Sequence, residues 1–341
     1  MSIYDVRYCS RIELPLLIDF IRTHWQLDHV FVKSVKMLDF QHFDEKNSRY
    51  NFVIGYNKCS DEIDGILGLI PVSHYDENLE KYKDTWGGIW KVRSDVKNEE
   101  ISNLGTSLFS FFSQYETHGS IGMSNVASVL HRIMKYKTGV LSQYYILNNE
   151  TVDFKIAAVP EVFRISKGKS LKSRAKIQRI GNILEYNKSE ILDIYAPYKS
   201  VTYLYNRFQK HPIYKYNFLE VSDGNSRAIF VTRKISINSS NVIRVVDVYG
   251  KINDFDTLYE QFQEYLQFEN AEYIDILNFG ISKQIFENLG FVKLNINDDL
   301  IIPNYFEPFI RENHELNCAY RSKGDYVFFK ADADQDRPSI L

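Results

Sequence analysis

The stretch that decides the fold is "GGIWKVRSDVKNEEISNLGTSLFSFF", residues 87 to 112. Its first part, "GGIWKVRSDV", combines β-branched and aromatic residues in a short run, which predicts a strand. From Ile101 onward the apolar residues recur at helical spacing, which predicts a helix. Gly105 and the small residues around it lie where the strand is expected to turn into this helix. The stretch therefore predicts one strand–turn–helix unit of an α/β fold.

This unit belongs to an order of elements that occurs twice in the chain. Each time the pattern is helix, hairpin, strand, helix, strand, helix and strand. In the first half these elements are predicted over residues 13–25, 49–72, 87–96, 101–115, 119–125, 126–139 and 140–147, and in the second over 201–211, 216–235, 242–251, 254–268, 272–280, 282–291 and 291–296. A repeated order indicates a repeated architecture. The fold class predicted is α/β with two tandem mixed-sheet domains, residues 1–155 and 201–341, joined by a basic linker region, 156–200.

The net charge, the cysteines and the apolar runs of the sequence exclude several classes of protein. The net charge of -3 over 341 residues gives no general attraction to nucleic acid. Three cysteines far apart argue against a disulfide framework and for a reducing compartment. No apolar run has the character of a signal peptide or the length of a membrane span, so we expect a cytoplasmic protein without membrane contact. No metal is expected, because Arg337 stands where a calcium loop of the Asp332-x-Asp334-x-Asp336 kind needs Gly.

The repeated order resembles the GNAT superfamily of acyl-CoA-dependent N-acyltransferases, so the fold class becomes two tandem GNAT-like domains. In that family a strand splays from its neighbour, and a Gly-rich turn before the next helix holds the pyrophosphate of coenzyme A on its backbone N–H groups. The family pattern is Gln or Arg, two residues, Gly, one residue, then Gly or Ala, and here only the first Gly is retained. The resemblance implies acyl-CoA as cosubstrate, held by Val92, Arg93, Ser94, Ser102, Asn103, Leu104, Gly105, Thr106, Ser107, Asn125 and Tyr136.

The same resemblance implies an acid for the departing thiolate. The family places a Tyr after an Ala-x-x-Leu stretch, and here "ASVLH" places His131 at that position. Histidine suits this role because its pKa lies near neutrality. Tyr136 is a second candidate. The alternative is that His131 is simply packed in the protein.

The second half resembles a GNAT unit without a coenzyme A turn. After "VVDVYG" the chain continues "KINDFD", whose acidic residues would repel a pyrophosphate. The first unit is therefore expected to hold acyl-CoA and the second the acceptor. The stretches "YLYNRFQKHPIYKY", "RVVDVYG", "PNYFEPF" and "FFKADADQDRP" resemble tandem-domain sugar N-acyltransferases of polysaccharide biosynthesis. That resemblance implies transfer of an acetyl or 3-hydroxybutanoyl group to a dTDP-linked 3-amino or 4-amino dideoxyhexose.

An N-acyl transfer needs the acceptor amine to lose its proton and the thioester carbonyl to be polarised. Asp247 is the best candidate for a carboxylate base, because burial of a lone Asp in an apolar strand costs free energy and therefore indicates a structural or functional role. The alternative is that Asp247 is a partner for a nearby Arg or a backbone turn. His211 is another candidate base, with Arg207 one helical turn earlier as a diphosphate ligand; the alternative is a capped helix end before Pro212. A backbone N–H near Val92 would polarise the carbonyl. Water can also carry the proton away.

The remaining candidates would bind the acceptor. Aromatic rings of the loop "IPNYFEPF" would stack a base or face a deoxysugar methyl group, and the tail carboxylates would accept hydrogen bonds from hydroxyls or an ammonium. The alternative is that Arg337 pairs with one Asp and locks the chain end. The substrate-binding candidates are Arg207, Asn278, Asn304, Tyr305, Phe306, Glu307, Asp332, Asp334, Asp336 and Arg337.

Two other functions remain open. A tandem-GNAT aminoacyl or peptidyl transferase of cell-wall type would share the two-unit plan and use the basic run at 164–179 for tRNA. A non-catalytic GNAT-like protein would bind acyl-CoA or a nucleotide sugar without turnover. The oligomeric state is not indicated by the sequence.

Overall fold

The computed structural model describes residues 2–97, 99–164, 173–186, 195–223, 226–253 and 255–339. Half of the predicted basic run, residues 165–172, lies outside the described residues. The same holds for Gly224, at a predicted hairpin turn, and for Asp254, the start of a predicted helix. The part of the chain before residue 156 is called the first half below, and the part after residue 200 the second half.

The described residues form a mixed α/β structure. The helices are α1 (Leu14–Phe20), α2 (Val30–Lys33), α3 (Val35–His42), α4 (Ile101–Phe109), α5 (Asn125–Ile133), α6 (Glu161–Arg164), α7 (Val201–Leu204), α8 (Tyr259–Glu269) and α9 (Lys283–Asn288). The strands are β1 (Tyr4–Ser10), β2 (Phe43–Asp44), β3 (Arg49–Asn57), β4 (Glu62–Pro71), β5 (Asp84–Val92), β6 (Thr117–Ile121), β7 (Lys137–Leu147), β8 (Lys176–Ile180), β9 (Tyr216–Ser222), β10 (Arg227–Ile237), β11 (Ser240–Tyr249), β12 (Tyr273–Phe279), β13 (Val292–Lys293), β14 (Tyr305–Phe306), β15 (Phe309–Ile310), β16 (Leu316–Arg321) and β17 (Phe328–Phe329).

One sheet runs through both halves. Its order is β1-β3-β4-β5-β6-β16-β7-β12-β11-β10-β9-β8, and β2, β13 and β17 pair at its sides. Strand β7 of the first half pairs antiparallel with β12 of the second. Strand β16, late in the chain, lies between β6 and β7. The predicted α/β fold with a large mixed sheet is confirmed; the boundaries proposed for two domains stay a prediction.

The two halves repeat one local geometry. Strand β5 pairs in parallel with β6 only over Asp84–Gly87 and then runs on to Val92. Strand β11 pairs in parallel with β12 only over Ile243–Val245 and runs on to Tyr249. The register against the preceding strand shifts by one residue in both, so each carries a β-bulge where the parallel pairing ends. A bulge bends and re-aims a strand. Each half thus has a wedge between two parallel strands: the first wedge (β5/β6) and the second wedge (β11/β12).

Pairing between strands places residues of two predicted turns inside strands. The helix expected to end at Gly139 ends at Ile133, and Lys135 takes the left-handed conformation with φ 62°. Gly139 instead lies inside β7, because β7 pairs with β16 from Lys137 onward. The Asp64-Gly65 pair is a turn-forming dipeptide and predicts the turn of the hairpin over residues 49–72, but both residues lie inside β4, which pairs with β3. In both places long-range pairing outweighs the local turn preference.

The last described residues, 328–339, connect the two wedges and are called the tail. In the second wedge β17 pairs with β12, and the Ala331 N–H donates to the Val246 carbonyl over 2.9 Å. The tail then reaches the first wedge, where a Cβ on Gly88 would lie 3.5 Å from Asp334 Oδ2. Finally the Val30 N–H donates to the Ser339 carbonyl over 2.9 Å. The tail thus binds to both halves.

Candidate functional site

A cleft of about 230 Å³ lies where the tail meets both halves. We call it the junction cleft. It opens beside the end of β6, where ligands of α/β sheets usually bind because the carboxyl ends of parallel strands lie there. It is lined by Trp25, Gln26, His29, Gly122, Tyr214, Arg233, Arg244, Asn304, Tyr305, Phe306, Glu307, Lys330, Asp334, Gln335, Asp336, Arg337 and Ser339.

A larger cavity, about 500 Å³, lies elsewhere in the first half. It includes Asp84, the first residue of β5, and therefore lies at the amino end of that strand. The junction cleft is the better candidate, because it lies at the opposite, carboxyl end and contains residues from both halves.

Two arginines face each other across strands at the cleft. Arg233 of β10 is directly opposite Arg244 of β11, and both are buried. Like charges directly opposite destabilise a sheet unless something neutralises them. Here each has a carboxylate partner: Arg233 pairs with Asp336 over 2.8 Å, and Arg244 with Asp275 over 2.7 Å.

The carboxylate of Asp336 is held ionised. Burial alone would raise its pKa, but the Arg233 guanidinium and a hydrogen bond from Tyr216 hold the pKa below its usual value. The Tyr216 hydroxyl donates to Asp336 Oδ2 over 2.8 Å. Arg337 pairs with Asp334 over 3.2 Å, so the tail's own charges are also matched. This pair joins two residues of the tail, and both of them line the cleft.

The cleft walls also carry buried polar atoms that have no hydrogen-bond partner among the described residues. They are His29 Nε2, Arg233 Nε, Asn304 Oδ1, Glu307 Oε2 and Arg337 Nε. His29 Nδ1 accepts from the Phe31 N–H, so Nε2 carries the proton and is a donor. Three donors and two acceptors are therefore unpaired around one cavity. Buried polar groups are nearly always paired in native proteins, so this concentration favours a ligand-binding site.

Lys330 is the most unusual cation in the cleft. Its side chain is buried, and its amine lies 5.1 Å from the centre of the Tyr305 ring. Burial, with Arg244 nearby, lowers the pKa of Lys330 to about 7. No hydrogen bond or ion pair joins this amine to another described residue. Lys330 therefore presents an amine of which a substantial fraction is uncharged near neutral pH.

The structure brings together most of the predicted substrate-binding residues. Those that line the junction cleft are Asn304, Tyr305, Phe306, Glu307, Asp334, Asp336 and Arg337. Their roles as substrate contacts stay predictions. The loop from Asn304 to Glu307 is held by the Arg244 guanidinium, which donates to the Asn304 and Pro303 carbonyls over 3.0 and 3.1 Å.

Three further predicted substrate residues lie outside the cleft. Arg207 is buried and donates to the Ala331 and Ala333 carbonyls, so it anchors the tail. Asn278 donates to the Phe328 carbonyl over 2.8 Å. Asp332 accepts from the Phe329 N–H over 2.9 Å. Arg207 and Asn278 thus hold the tail against the rest of the second half, whereas this contact of Asp332 lies within the tail.

Asp247, the predicted base, lies under the tail in the second wedge. The Lys199 amine is 2.6 Å from Asp247 Oδ1 and 2.8 Å from Asp332 Oδ1. Burial and the neighbouring Asp332 carboxylate raise the pKa of Asp247 to about 6, although the Lys199 amine acts in the opposite direction. These three side chains lie in the second wedge and do not line the junction cleft.

His211 lies beside the cleft and stacks on Tyr214, which lines it. Its Nδ1 accepts from the Ile213 and Tyr214 N–H groups over 3.2 and 2.9 Å. Burial lowers the pKa of His211 to about 4. The ring thus accepts hydrogen bonds from the chain after Pro212, so Nδ1 is already engaged; the role of His211 as a base stays a prediction.

His131 and Tyr136 lie on the helix side of the first wedge. The His131 Nδ1–H donates to the Ala127 carbonyl over 2.8 Å, and burial lowers the pKa of His131. The Tyr136 hydroxyl is 2.7 Å from His118 Nδ1. Around them the wedge is packed with rings that contact one another, namely Trp90, Phe109, Phe112, His118, His131 and Tyr136.

The predicted coenzyme A turn lies inside α4. The hydroxyls of Thr106 and Ser107 donate to the Asn103 carbonyl over 2.8 and 3.1 Å, while Ser102 donates to Glu99. Leu104 is part of the core. A Cβ on Gly105 would lie 3.7 Å from Val92, so the backbone of α4 passes close to the end of β5.

The N-terminus of α4 carries a carboxylate. Glu100 flanks the helix and accepts from the Ile3 N–H and the Ser2 hydroxyl. At the end of β5, the Arg93 guanidinium pairs with Asp95, Glu62 and Asp64. Ser94 follows Arg93, and Asn125 is the first residue of α5. The placement of coenzyme A on these residues stays a prediction.

Sequence reasoning missed several cleft residues, chiefly Trp25, His29, Arg233, Arg244 and Lys330. A signal for the arginines was present. Asn238 and Ser239 both have positive φ and form the two-residue turn of the β10–β11 hairpin, which places Arg233 opposite Arg244. Lys330 interrupts an apolar run in the same way that Asp247 does, and a charge in such a run needs a structural or functional reason.

Among the described residues, no helix is long and apolar enough to span a lipid bilayer. Nor do the described His, Cys, Asp and Glu residues form a group of three or more that would hold a metal ion.

No known protein family matches the chain in a family scan, and no curated protein matches it in sequence. Solved structures do match. A GCN5-related N-acetyltransferase from Anabaena variabilis superposes with a TM-score of 0.53 at 8% identity, covering 93% of this chain and 72% of that one. Others from Kribbella flavida and Sphaerobacter thermophilus match with TM-scores of 0.46 and 0.42 at 8% and 11% identity, covering 94% of this chain and 71% and 96% of theirs. The match to the Anabaena protein, together with the bulged and splayed strand of each half, shows that this chain has the GCN5-related N-acetyltransferase fold.

Proposed function

We propose that the protein transfers an acyl group from acyl-CoA to an amine that binds in the junction cleft. The observation that carries the proposal is the position of the cleft. It adjoins the first wedge, the part of this fold where the acyl donor is expected, and it holds a concentration of unpaired polar atoms. The tail brings Asp334 to Gly88 at the bulge of β5, so donor and acceptor sites share one boundary.

The bulge of β5 has a chemical use in this proposal. A bulge leaves one residue outside the ladder pairing, and its N–H is then available to another acceptor. In the first wedge this residue lies at Gly88 or Ile89, between the paired positions Gly87 and Trp90. An N–H fixed there would stabilise the charge that develops on the thioester oxygen.

For the acceptor we propose a nucleotide-linked amino sugar, of the dTDP-linked 3-amino or 4-amino dideoxyhexose kind. Cations and aromatic rings in the cleft support this choice. Arg233 and Arg337 present donors toward a diphosphate, whereas Glu307 and Asn304 present acceptors toward hydroxyls or an ammonium. The cleft is smaller than the roughly 300 Å³ at which drug-sized pockets begin, so it would hold the sugar and a phosphate.

The base of the nucleotide would then lie at the rim. Trp25 is 45% exposed and lines the cleft, so it offers a ring on which a thymine can stack. Such an acceptor, acylated in the cytoplasm, would serve surface polysaccharide biosynthesis, either lipopolysaccharide O-antigen or capsule.

The test is thiol release monitored with 5,5′-dithiobis(2-nitrobenzoate). Acetyl-CoA and 3-hydroxybutanoyl-CoA are each combined with dTDP-linked 3-amino and 4-amino dideoxyhexoses. The expected result is thiol that appears only with a matched pair. Thermal stabilisation by each ligand alone is measured in parallel, with UDP-linked amino sugars as a control for the base.

Variants connect the activity to the cleft. Glu307→Gln and Trp25→Ala should raise the KM for the sugar, whereas Lys323→Ala, on the surface, should change neither KM nor kcat. Stabilisation by both ligands without thiol would replace the enzyme with a non-catalytic binding protein. Absence of stabilisation by any acyl-CoA would overturn the proposal, and salt-sensitive retention of tRNA would then favour the peptidyl transferase alternative.

A further inference from the structure

Lys330 occupies an unusual place in the fold. It is the first residue after β17, at the point where the tail leaves the second wedge, and it lies in the wall of the junction cleft. Only 3% of its surface is exposed. Its amine has no hydrogen bond or ion pair to another described residue, so its free electron pair and protons are not engaged by the fold.

The charges around Lys330 are already matched with each other. Arg233 comes from β10, Arg244 from β11, Asp275 from β12 and Asp336 from the tail. Arg233 pairs with Asp336 and Arg244 with Asp275, so neither carboxylate is left to balance a lysine ammonium. The Tyr305 ring lies 5.1 Å from the amine. A buried amine without a counter-ion favours its neutral form.

A neutral amine beside a bound ammonium can take its proton. We propose that Lys330 is a catalytic residue that accepts the proton of the acceptor amine before acyl transfer, an assignment that rests on the proposed function. Glu307, with its unpaired Oε2, would hold the same ammonium in place.

Every proton in the proposed step is accounted for. The acceptor ammonium gives one proton to the neutral Lys330 amine and becomes a nucleophile. Its nitrogen attacks the thioester carbonyl, the C–N bond forms and the C–S bond breaks. The second nitrogen proton neutralises the departing thiolate, and Lys330 returns its proton to solvent. The sum is acyl-CoA plus ammonium giving amide, free coenzyme A and one proton.

Other groups near the cleft fit this role less well. Asp334 and Asp336 are both paired with arginines. His211 Nδ1 already accepts two backbone N–H groups. Asp247 faces Lys199 in the second wedge. Among the described groups at the cleft, Lys330 combines burial, access to the cavity and freedom from a partner.

The first experiment needs no substrate. The intact protein is labelled with trace acetic anhydride at a series of pH values from 5.5 to 10, and the acetylated lysines are quantified by mass spectrometry. Lys330 should reach half of its maximal labelling near pH 7. Exposed Lys323 should still be gaining reactivity above pH 9, and buried Lys199, paired with two carboxylates, should stay unlabelled. A midpoint for Lys330 near that of Lys323, or no labelling, would overturn the proposal.

The second experiment uses the donor and acceptor pair found by the thiol assay. Lys330→Met and Lys330→Arg should each lower kcat at pH 7 by about 100-fold, because a general base contributes on the order of 10²–10⁴. KM for the acceptor should stay within about threefold. The kcat of the wild type should level off above about pH 7, whereas that of both variants should keep rising with pH. Lys323→Met is the matched control and should behave as wild type.

The outcomes separate the two proposals. If Lys330→Arg retains wild-type kcat, the residue acts only as a cation and the proton role is wrong. If Lys330→Met loses acceptor binding with kcat intact, the same conclusion follows. If the wild type releases no thiol with any pair, the proposed function fails instead, and a labelling midpoint near pH 7 would then show a reactive lysine without this chemistry.

Discussion

At the residue scale, the buried pair of Arg244 and Asp275 determines the shape of the cleft. Arg244 is 1% exposed, and two of its nitrogens contact Asp275 while it also holds the carbonyls that precede Tyr305. Removal of one partner of a buried ion pair leaves an uncompensated charge, which costs about 3–5 kcal/mol. The position of the loop around Tyr305 and Phe306 therefore depends on the buried ion pair of Arg244 and Asp275.

Asp275→Asn is predicted to lower the free energy of unfolding by about 3–5 kcal/mol. Urea titration followed by circular dichroism measures the change. Glu287→Gln is the control, since its pair with Lys283 lies on the surface of α9, where water and salt screen the attraction, and should change the free energy of unfolding little. A loss below 1 kcal/mol for Asp275→Asn would show that the carbonyls of Pro303 and Asn304 suffice for Arg244.

The sequence predicted the cleft residues of two short segments, but not those whose place in the cleft depends on strand pairing. Asn304 to Glu307 and Asp334 to Arg337 stand out as polar and aromatic residues in short segments rich in Pro or Asp. Arg233, Arg244 and Lys330 lie on strands or at a strand end, where their facing partners depend on register. Register depends on turn conformation and on pairing between distant strands, and one sequence does not specify the latter.

At the element scale, the tail is fastened to β11 by the group of Lys199, Asp247 and Asp332. Two buried carboxylates share one ammonium, so the folded protein retains a proton on Asp247 up to about pH 6, whereas the unfolded chain releases it near pH 3.8. Between these values the folded state binds more protons than the unfolded state. Its stability therefore falls as the pH rises from about 4 to 6.

Asp247→Asn should abolish this part of the pH dependence. We expect the free energy of unfolding of the variant to change less between pH 4 and 6.5 than that of the wild type, as measured by urea titration at each pH. Asp325→Asn, in an exposed position, is the control and should keep the wild-type slope. Parallel curves for wild type and Asp247→Asn would show that the tail is not held by a carboxylate pair of this kind.

The helix after the first wedge illustrates how far element boundaries follow from sequence. The helix predicted from Ile101 onward does begin at Ile101, and Leu104 and Leu108 continue its apolar spacing. The family pattern expects a turn at Ser102 to Ser107, but these residues lie inside that helix. Gly105 is thus a mid-helix glycine. A Cβ added there would lie 3.7 Å from Val92 and 3.8 Å from Trp90, which are ordinary van der Waals contacts. A methyl group fits there.

Gly105→Ala is predicted to raise the free energy of unfolding by about 0.5–1 kcal/mol, because Ala stabilises a helix interior relative to Gly. If coenzyme A passes close to this backbone, the same methyl group should weaken thermal stabilisation by acetyl-CoA. Ser110→Ala, directly after α4 and outside the predicted coenzyme A contacts, serves as the control. Unchanged stabilisation by acetyl-CoA in Gly105→Ala would remove α4 from the proposed cofactor contacts.

At the scale of the whole molecule, the repeated order of elements predicted the mixed α/β fold, and both halves carry the same bulged strand. Sequence reasoning did not foresee how the halves interlock. Strand β16 lies between β6 and β7, β7 continues into β12, and the tail returns to the first wedge. These contacts join residues more than 100 positions apart, where a single sequence carries little pairing information.

Such interlocking predicts that both halves unfold together in one cooperative transition. The chain offers a built-in probe, because all three tryptophans, Trp25, Trp86 and Trp90, lie in the first half. Tryptophan fluorescence therefore follows the first half, whereas far-ultraviolet circular dichroism follows both. The two signals should give the same urea midpoint and the same slope. A dichroism transition that continues after the fluorescence change is complete would show that the second half folds without the first. In that case the junction cleft would form only when two independent units dock.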